Sequence, residues 1–390
     1  MRVAALGAAR RTAACYVRRM NALLLPACAT VGTLQTADTL GKGSYELGIE
    51  PAAVILGGDV GGTKTWLGLF RAEDSDAASP LVLERSEKFA SSSAGSLDEH
   101  VAKFLAGSPH RVDFACFGLP GPVGETRAKL INLPWEVDAT EIAARFGFRA
   151  AFLINDLVAN ARGIGELEPS DFEVLHRGAP NATGNMAVIS PGTGLGEAGI
   201  FWDGRRHIPF ACEGGHCDFA PVDETQSALL AHLRREHDHV SVERVLSGSM
   251  GIPNIYRFLA STGRERETPS IAAALATQDP GATITRAALD DSCPLCARTM
   301  KLFVRILGAE AGNLALKTMA TGGIYIGGGI ATKILPLLRS PDLREAFCAK
   351  GRFRRFMERI PMRVILDDRA ALLGAARHAL LAAGAPAKSG

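Results

Sequence analysis

The sequence predicts an α/β protein. Short apolar runs alternate with stretches of helical periodicity, and several of the runs end in glycine-rich turns. Ala53-Val54-Ile55-Leu56 is a continuous apolar run ending in glycines, and Trp66 to Phe70 is a second, so the short link between them reads as a hairpin turn. Leu81 to Ser86 and Val112 to Gly118 read as strands, with helical spacing over Leu97 to Leu105 between them. Further strands are predicted at Ala151 to Ile154, Met186 to Ile189 and Ile324 to Ile326. Helices are predicted at Glu224 to Arg235, Val242 to Ser247, Ala297 to Ala320 and Ala370 to Leu381. The segments Leu56 to Thr63 and Ile189 to Gly196 look alike, each an apolar strand ending in a glycine-threonine turn. A duplicated domain that closes on a nucleotide from both sides would produce that likeness.

The chain has 390 residues, 47% hydrophobic, enough to bury two ordinary cores. Its 43 basic and 41 acidic residues leave a formal charge of +2, so no strong field favours nucleic acid or an anionic membrane as a partner. No apolar run reaches the roughly 18 residues of a membrane span. The eight cysteines (Cys15, Cys28, Cys116, Cys212, Cys217, Cys293, Cys296 and Cys348) are scattered, as reduced thiols of a cytoplasmic protein would be. Cys212, His216 and Cys217 lie close together, but a structural zinc site wants four ligands and this group does not supply them. Residues 1–52 are rich in alanine and arginine, with no acid before Asp38. That is the composition of an organelle transit peptide, and also what a mis-called start codon in a GC-rich genome would encode; a disordered extension is expected there.

Five motifs carry chemistry. Gly57-Gly58-Asp59-Val60-Gly61-Gly62-Thr63-Lys64 ends a buried strand, where glycines bring backbone N–H groups close to an anion and Asp59 can hold magnesium through water. A plain hairpin turn uses the same residues. Ser190-Pro191-Gly192-Thr193-Gly194-Leu195-Gly196 reads as a second phosphate-cradling turn or, equally, as a tight turn. Gly322-Gly323 and Gly327-Gly328-Gly329 bracket a strand and would admit a flat ring, or serve packing alone. In Leu153-Ile154-Asn155-Asp156-Leu157 the aspartate ends a buried strand, where α/β enzymes place their sites and where a helix also wants a cap. Glu213-Gly214-Gly215-His216, with Glu243 further on, offers the mixed donors and acceptors that suit a polyhydroxylated ligand.

In their order and spacing these motifs closely resemble the bacterial glucokinase family, from about Ala53 to about Leu381. Asn132-Leu133-Pro134-Trp135 and Lys350-Gly351-Arg352-Phe353 also look like that family, whereas Ser247-Gly248-Ser249-Met250-Gly251 departs from its usual pattern. The cysteine-rich zinc motif of the other large bacterial sugar-kinase family is absent. The resemblance implies an actin-like ATPase (ribonuclease H-like) duplicated fold, with two α/β domains and a cleft between them. Residues 53–160 would form the small domain, completed by a C-terminal helix at 370–384, and residues 161–369 the large one. It implies ATP and Mg2+, phosphorylation of the glucose 6-hydroxyl, and a homodimer. It makes Asp156 the catalytic base, and it places Asn155, Glu213, His216 and Glu243 on the sugar. Gly58, Asp59, Gly61, Gly62, Thr63, Gly192, Thr193, Gly194 and Gly196 fall on the phosphates, and Gly328 on the adenine side. The alternatives are a kinase for another hexose and a non-catalytic sugar-sensing relative.

Overall fold

Strand β1 (Ala53–Val60) turns through Gly61, Gly62 and Thr63 into β2 (Lys64–Ala72), and the two pair antiparallel from Ala53↔Ala72 to Val60↔Thr65. The turn is closed by Gly61 N–H donating to the Lys64 carbonyl at 2.8 Å. The computed structural model describes residues 53–73, 79–130 and 132–384, so the expectation of a disordered extension at 1–52 lies outside the described residues.

Strand β3 (Leu81–Ala90) continues the meander, while β4 (Phe114–Leu119) lies parallel to β1 and β7 (Ala150–Asn155) parallel to β4. The first sheet is thus ordered β3-β2-β1-β4-β7. Helices α1 (Leu97–Leu105) and α2 (Ala139–Phe146) cover one face. Each starts at a capping side chain: Ser96 accepts from Glu99 N–H, and Asp138 from Thr140 and Glu141. Between the two helices, β5 (Arg127–Lys129) and β6 (Glu136–Asp138) make a small antiparallel pair. Successive residues of a strand face opposite ways. Leu56 accordingly joins Val101, Phe104 and Ile142 on the α1/α2 face, and Ile55 joins Phe70 and Cys116 on the other.

After α3 (Asp156–Gly163) and β8 (Phe172–His176) the same plan repeats. Strands β9 (Met186–Pro191), β10 (Leu195–Trp202) and β11 (His207–Cys212) form an antiparallel meander, β12 (Gly323–Ile326) lies parallel to β9, and β13 (Met362–Ile365) parallel to β12. The second sheet runs β11-β10-β9-β12-β13-β8, the order of the first with β8 added antiparallel at the far edge. This is the duplicated actin-like arrangement anticipated from the two similar glycine-threonine turns. Its helices are α4 (Glu224–Leu233), α5 (Gly251–Ser261), α6 (Pro269–Leu275), α7 (Pro280–Leu289), α8 (Pro294–Thr318), α9 (Gly328–Lys333), α10 (Leu335–Leu338), α11 (Pro341–Cys348) and α12 (Arg354–Met357). Met300, Phe303, Leu307, Ala311 and Leu314 recur every three to four residues along α8, so one stripe of this 25-residue helix fills the second core.

The helix expected over Val242 to Ser247 is a single 3-10 turn, Val242–Arg244. Two interactions stop it: Ser247 Oγ donates back to the Glu243 carbonyl at 2.8 Å, and Gly248 N–H is drawn off to the Gly192 carbonyl at 2.8 Å.

Helix α13 (Ala370–Ala383) returns to cover the open face of the first sheet, where Leu372, Ala375, Ala376 and Ala379 pack on Ile55, Phe70 and Cys116. It also packs against α3 at backbone range: a Cβ on Gly163 would overlap the Ala370 carbonyl, and one on Gly374 the Ala159 carbonyl. Arg377 fastens the contact by a bidentate pair with Glu166, both hydrogen bonds at 2.7 Å. Gly374→Ala should therefore destabilise the protein by about 3 kcal/mol, the upper part of the overpacking range, because a carbonyl cannot yield as a side chain can. Urea unfolding checks this, and a loss below about 0.5 kcal/mol would mean that the helices have room to part.

Candidate active site

Helix α3 begins where β7 ends. Asn155 caps it, its Oδ1 accepting from Leu157 N–H at 2.9 Å and Val158 N–H at 3.2 Å while Nδ2 donates to the Gly121 carbonyl at 3.2 Å. Asp156 is therefore the first helical residue and not the cap, which corrects the capping reading of the sequence. Its Oδ1 takes a share of the Leu157 N–H at 2.9 Å. Burial pushes the Asp156 carboxyl up to about 7, the carboxylates of Asp59 and Glu213 push the same way, and the Leu157 N–H opposes them. The two acidic neighbours come from separate elements, Asp59 from the end of β1 and Glu213 from the loop after β11.

That loop is a 3-10 turn, Gly214–His216, closed by His216 N–H on the Glu213 carbonyl and Cys217 N–H on the Gly214 carbonyl, each at 3.0 Å. The His216 ring lies between two carboxylates, Nε2 at 3.9 Å from Glu213 Oε2 and Nδ1 at 3.7 Å from Glu243 Oε2. Glu243 in turn accepts from Leu195 N–H at 3.3 Å through Oε1, which ties the cluster to the second glycine turn. Three of the four residues placed on the sugar thus converge. The fourth, Asn155, has its amide oxygen committed to capping.

The first turn carries Asp59, half-buried at the end of β1. Burial raises its carboxyl to about 6; Lys64 and Lys88 pull it back, and Asp368 adds to the rise. Lys88 Nζ lies 2.8 Å from Asp368 Oδ2. Among the described residues no group of three or more His, Cys, Asp or Glu side chains could hold a metal ion. Magnesium would accordingly meet Asp59 as this hard ion commonly meets proteins, through retained waters and the oxygens of a phosphate ligand.

The second turn is closed by Gly192 N–H on the Gly194 carbonyl at 2.8 Å, and it is braced by Ser249 Oγ donating to the Thr193 carbonyl at 2.7 Å. It opens onto a cavity of about 680 Å³ lined by Gly192, Thr193, Ile252, Asp279, Arg286 and Gly329, among others. That is ample for a nucleotide-sized ligand. Gly196 lies outside it, within β10, where a Cβ would overlap the Leu157 side chain. Gly328 opens α9 at φ +81°, with its backbone against the Pro191 carbonyl, and it is Gly329 that lines the cavity. The sequence reading missed Ser249, Asp279, Arg286 and Lys333 of this lining. Asp279 caps α7, its Oδ1 accepting from Ala282 N–H at 2.7 Å, and Asp-Pro before an apolar-periodic stretch is a signal for a helix start and nothing more.

Known proteins share this layout. The family model described as Glucokinase matches residues 56–382. The glucokinase of Nostoc punctiforme is 40% identical over 337 residues, covering 83% of this chain and 98% of that protein. The crystal structure of a glucokinase from an Antarctic psychrotroph superposes with a TM-score of 0.72 at 32% identity, over 84% of this chain and 98% of the other. A ROK family glucokinase from Streptomyces griseus, solved with glucose and AMPPNP, shares the fold alone, at a TM-score of 0.55 and 20% identity over 84% of this chain and 99% of the other. A match spanning both sheets and the closing helix α13 shows that the chain belongs to the glucokinase family.

Proposed function

We propose that the chain transfers the terminal phosphoryl group of ATP, with Mg2+, to the 6-hydroxyl of D-glucose. The observation that carries this reading is the place of Asp156, whose carboxyl is within electrostatic reach of both Asp59, on the glycine turn of β1, and Glu213, in the His216–Glu243 cluster. The name of the Nostoc relative and the two ligands of the Streptomyces structure agree with it. Residues 53–160 with 370–384 form the small domain in this reading, residues 161–369 form the large one, and the cleft lies between them.

Glu213, His216 and Glu243 hold the sugar hydroxyls and turn the 6-hydroxyl toward Asp156. Asp156 accepts the hydroxyl proton as the oxygen attacks the terminal phosphorus and the bond to the ADP oxygen breaks. Little covalent chemistry falls to the protein, so alignment and charge neutralisation supply most of the acceleration. With the Gly61 and Gly192 N–H groups spent on closing their turns, the N–H groups of Gly62, Thr63, Thr193 and Gly194 are the ones offered to the phosphates, and the 680 Å³ cavity beside the second turn takes the adenosine. Mg2+, held through water by Asp59, would offset the negative charge gathered on the phosphoryl oxygens.

Asp156→Asn should lower kcat by about 10³-fold, within the range for losing a general base, while glucose binding measured by calorimetry persists. A kcat within threefold of the parent would remove Asp156 from the base role. Asp156 works ionised and its carboxyl is pushed up to about 7, so kcat/KM should fall as the pH drops below about 7, by about tenfold per unit well below it. A flat acid limb down to pH 5.5 would contradict this. Ala282→Trp, which fills the cavity mouth, should raise KM for ATP by about tenfold or more, roughly 1.4 kcal/mol of lost binding. Glucose affinity should stay unchanged, and a coupled ADP-release assay run over a panel of hexoses reads both constants and the sugar preference.

A further inference from the structure

Beneath the Gly214–His216 turn lies a buried acid to which the reaction above gives no part. Glu197, on β10, is 2% exposed and pairs in register with Cys212 of β11. Its carboxyl fills the space beside the turn where a Cβ on Gly214 would stand, and its Oε1 has no hydrogen-bond partner among the described residues. The neighbouring Gly215 packs just as closely on the main chain of β10, where a Cβ would strike the Leu195 carbonyl.

We propose that Glu197 is a positioning residue for the sugar site: its uncharged carboxyl acts as a wedge that holds the Glu213–His216 turn at binding height, and its ionisation displaces the turn and weakens sugar binding. The inference rests on the reading of that turn as the sugar bed.

The groups facing Glu197 explain why it stays neutral and what ionisation would do. From α8 comes Glu310, 5% exposed, whose Oε2 accepts from Asn313 Nδ2 at 2.9 Å and whose Oε1 lies 3.6 Å from Lys317 Nζ. From β11 comes the Cys212 thiol, itself raised by burial and next to Cys217 and Glu213. Lys350 approaches Glu310 from behind but spends its Nζ on the Ala309 carbonyl at 2.8 Å and Asn313 Oδ1 at 2.6 Å. Burial first, and then Glu310, push the Glu197 carboxyl up to about 8, with Lys317 offsetting part of the rise. Above that pH a buried carboxylate whose Oε1 has no hydrogen bond would face Glu310, and lifting the glycine turn would admit water to it. Asp156 itself stays on α3, but the turn that lifts carries Glu213 and His216, so the hold on the sugar is what is lost first.

The test is the pH dependence of glucose KM and kcat in the parent and in Glu197→Gln, whose amide keeps the shape but cannot ionise. The parent KM should rise about tenfold per pH unit above pH 8, and the Glu197→Gln KM should not rise with pH. A parallel rise in the variant, or a flat KM in the parent, overturns the proposal. A second measurement needs no variant: calorimetry at pH 8.5 in two buffers of different ionisation enthalpy should show glucose binding taking up more than half a proton, and no uptake also overturns it. If the parent bound no glucose at any pH, the kinase reading would fail and this inference with it; binding that is indifferent to pH sinks this inference alone.

Discussion

Helix α3 meets α13 at backbone contact, with Gly163 against Ala370 and Gly374 against Ala159, and the rest of the structure is referenced to that meeting. Because a glycine stands at each of these two contacts, the separation of the helices is set there by main-chain atoms, which do not adjust. The first turn of α3 carries Asp156, and its next residue, Leu157, seats on Gly196 of β10. A single helix thus fixes the proposed base against the first sheet through α13 and against the second sheet through Leu157. An error of an ångström in that crossing would be passed on undiminished to the distance between base and sugar, where alignment governs rate.

The electrostatics of the site follow from crowding. Asp59, Asp156 and Glu197 are raised to about 6, 7 and 8, and in each burial is the leading cause, with another carboxylate adding to it. Such a cluster favours cations and hydrogen-bond donors over bulk anions, and Lys64 and Lys88 already partly answer it at Asp59. A phosphate-bound magnesium would answer it further, so acid crowding and nucleotide binding fit one another. The raised carboxyl of Asp156 suits the proposed base, which must be ionised yet still basic enough to take a proton.

Much of this architecture was legible in the sequence, for physical reasons that also explain the gaps. Strands such as β1 and β9 are buried, so their apolar runs stand out, and the likeness of the two turns disclosed the duplication. Strand β11 escaped notice because it is an edge, with Ile208 and Phe210 exposed and Pro209 inside it, and an edge strand need not alternate cleanly. Adjacent Asn155 and Asp156 were each able to cap α3, and only the hydrogen bonds tell them apart. The cavity beside the second turn draws on α7, whose Asp279 and Arg286 look in sequence like a cap and a solvated face; their place in its lining comes from where the helix is carried, which no local pattern encodes. Glu197 was invisible for the same reason, since a glutamate in a glycine-rich strand gives no sign of what will be laid over it.

The return of α13 has a bearing on how the chain is made. The apolar face formed by Ile55, Phe70 and Cys116 is synthesised first, but its cover, Leu372 to Ala379, is synthesised last. At ribosomal speeds of about 5–20 residues per second the gap is on the order of tens of seconds, far longer than a collapsed chain needs to begin folding. Through that interval the first sheet stands with one side bare while the whole second sheet and its helices are still being made. The protein is therefore exposed to misassembly and to chaperone capture during translation, and its first half can become native only when its last helix arrives.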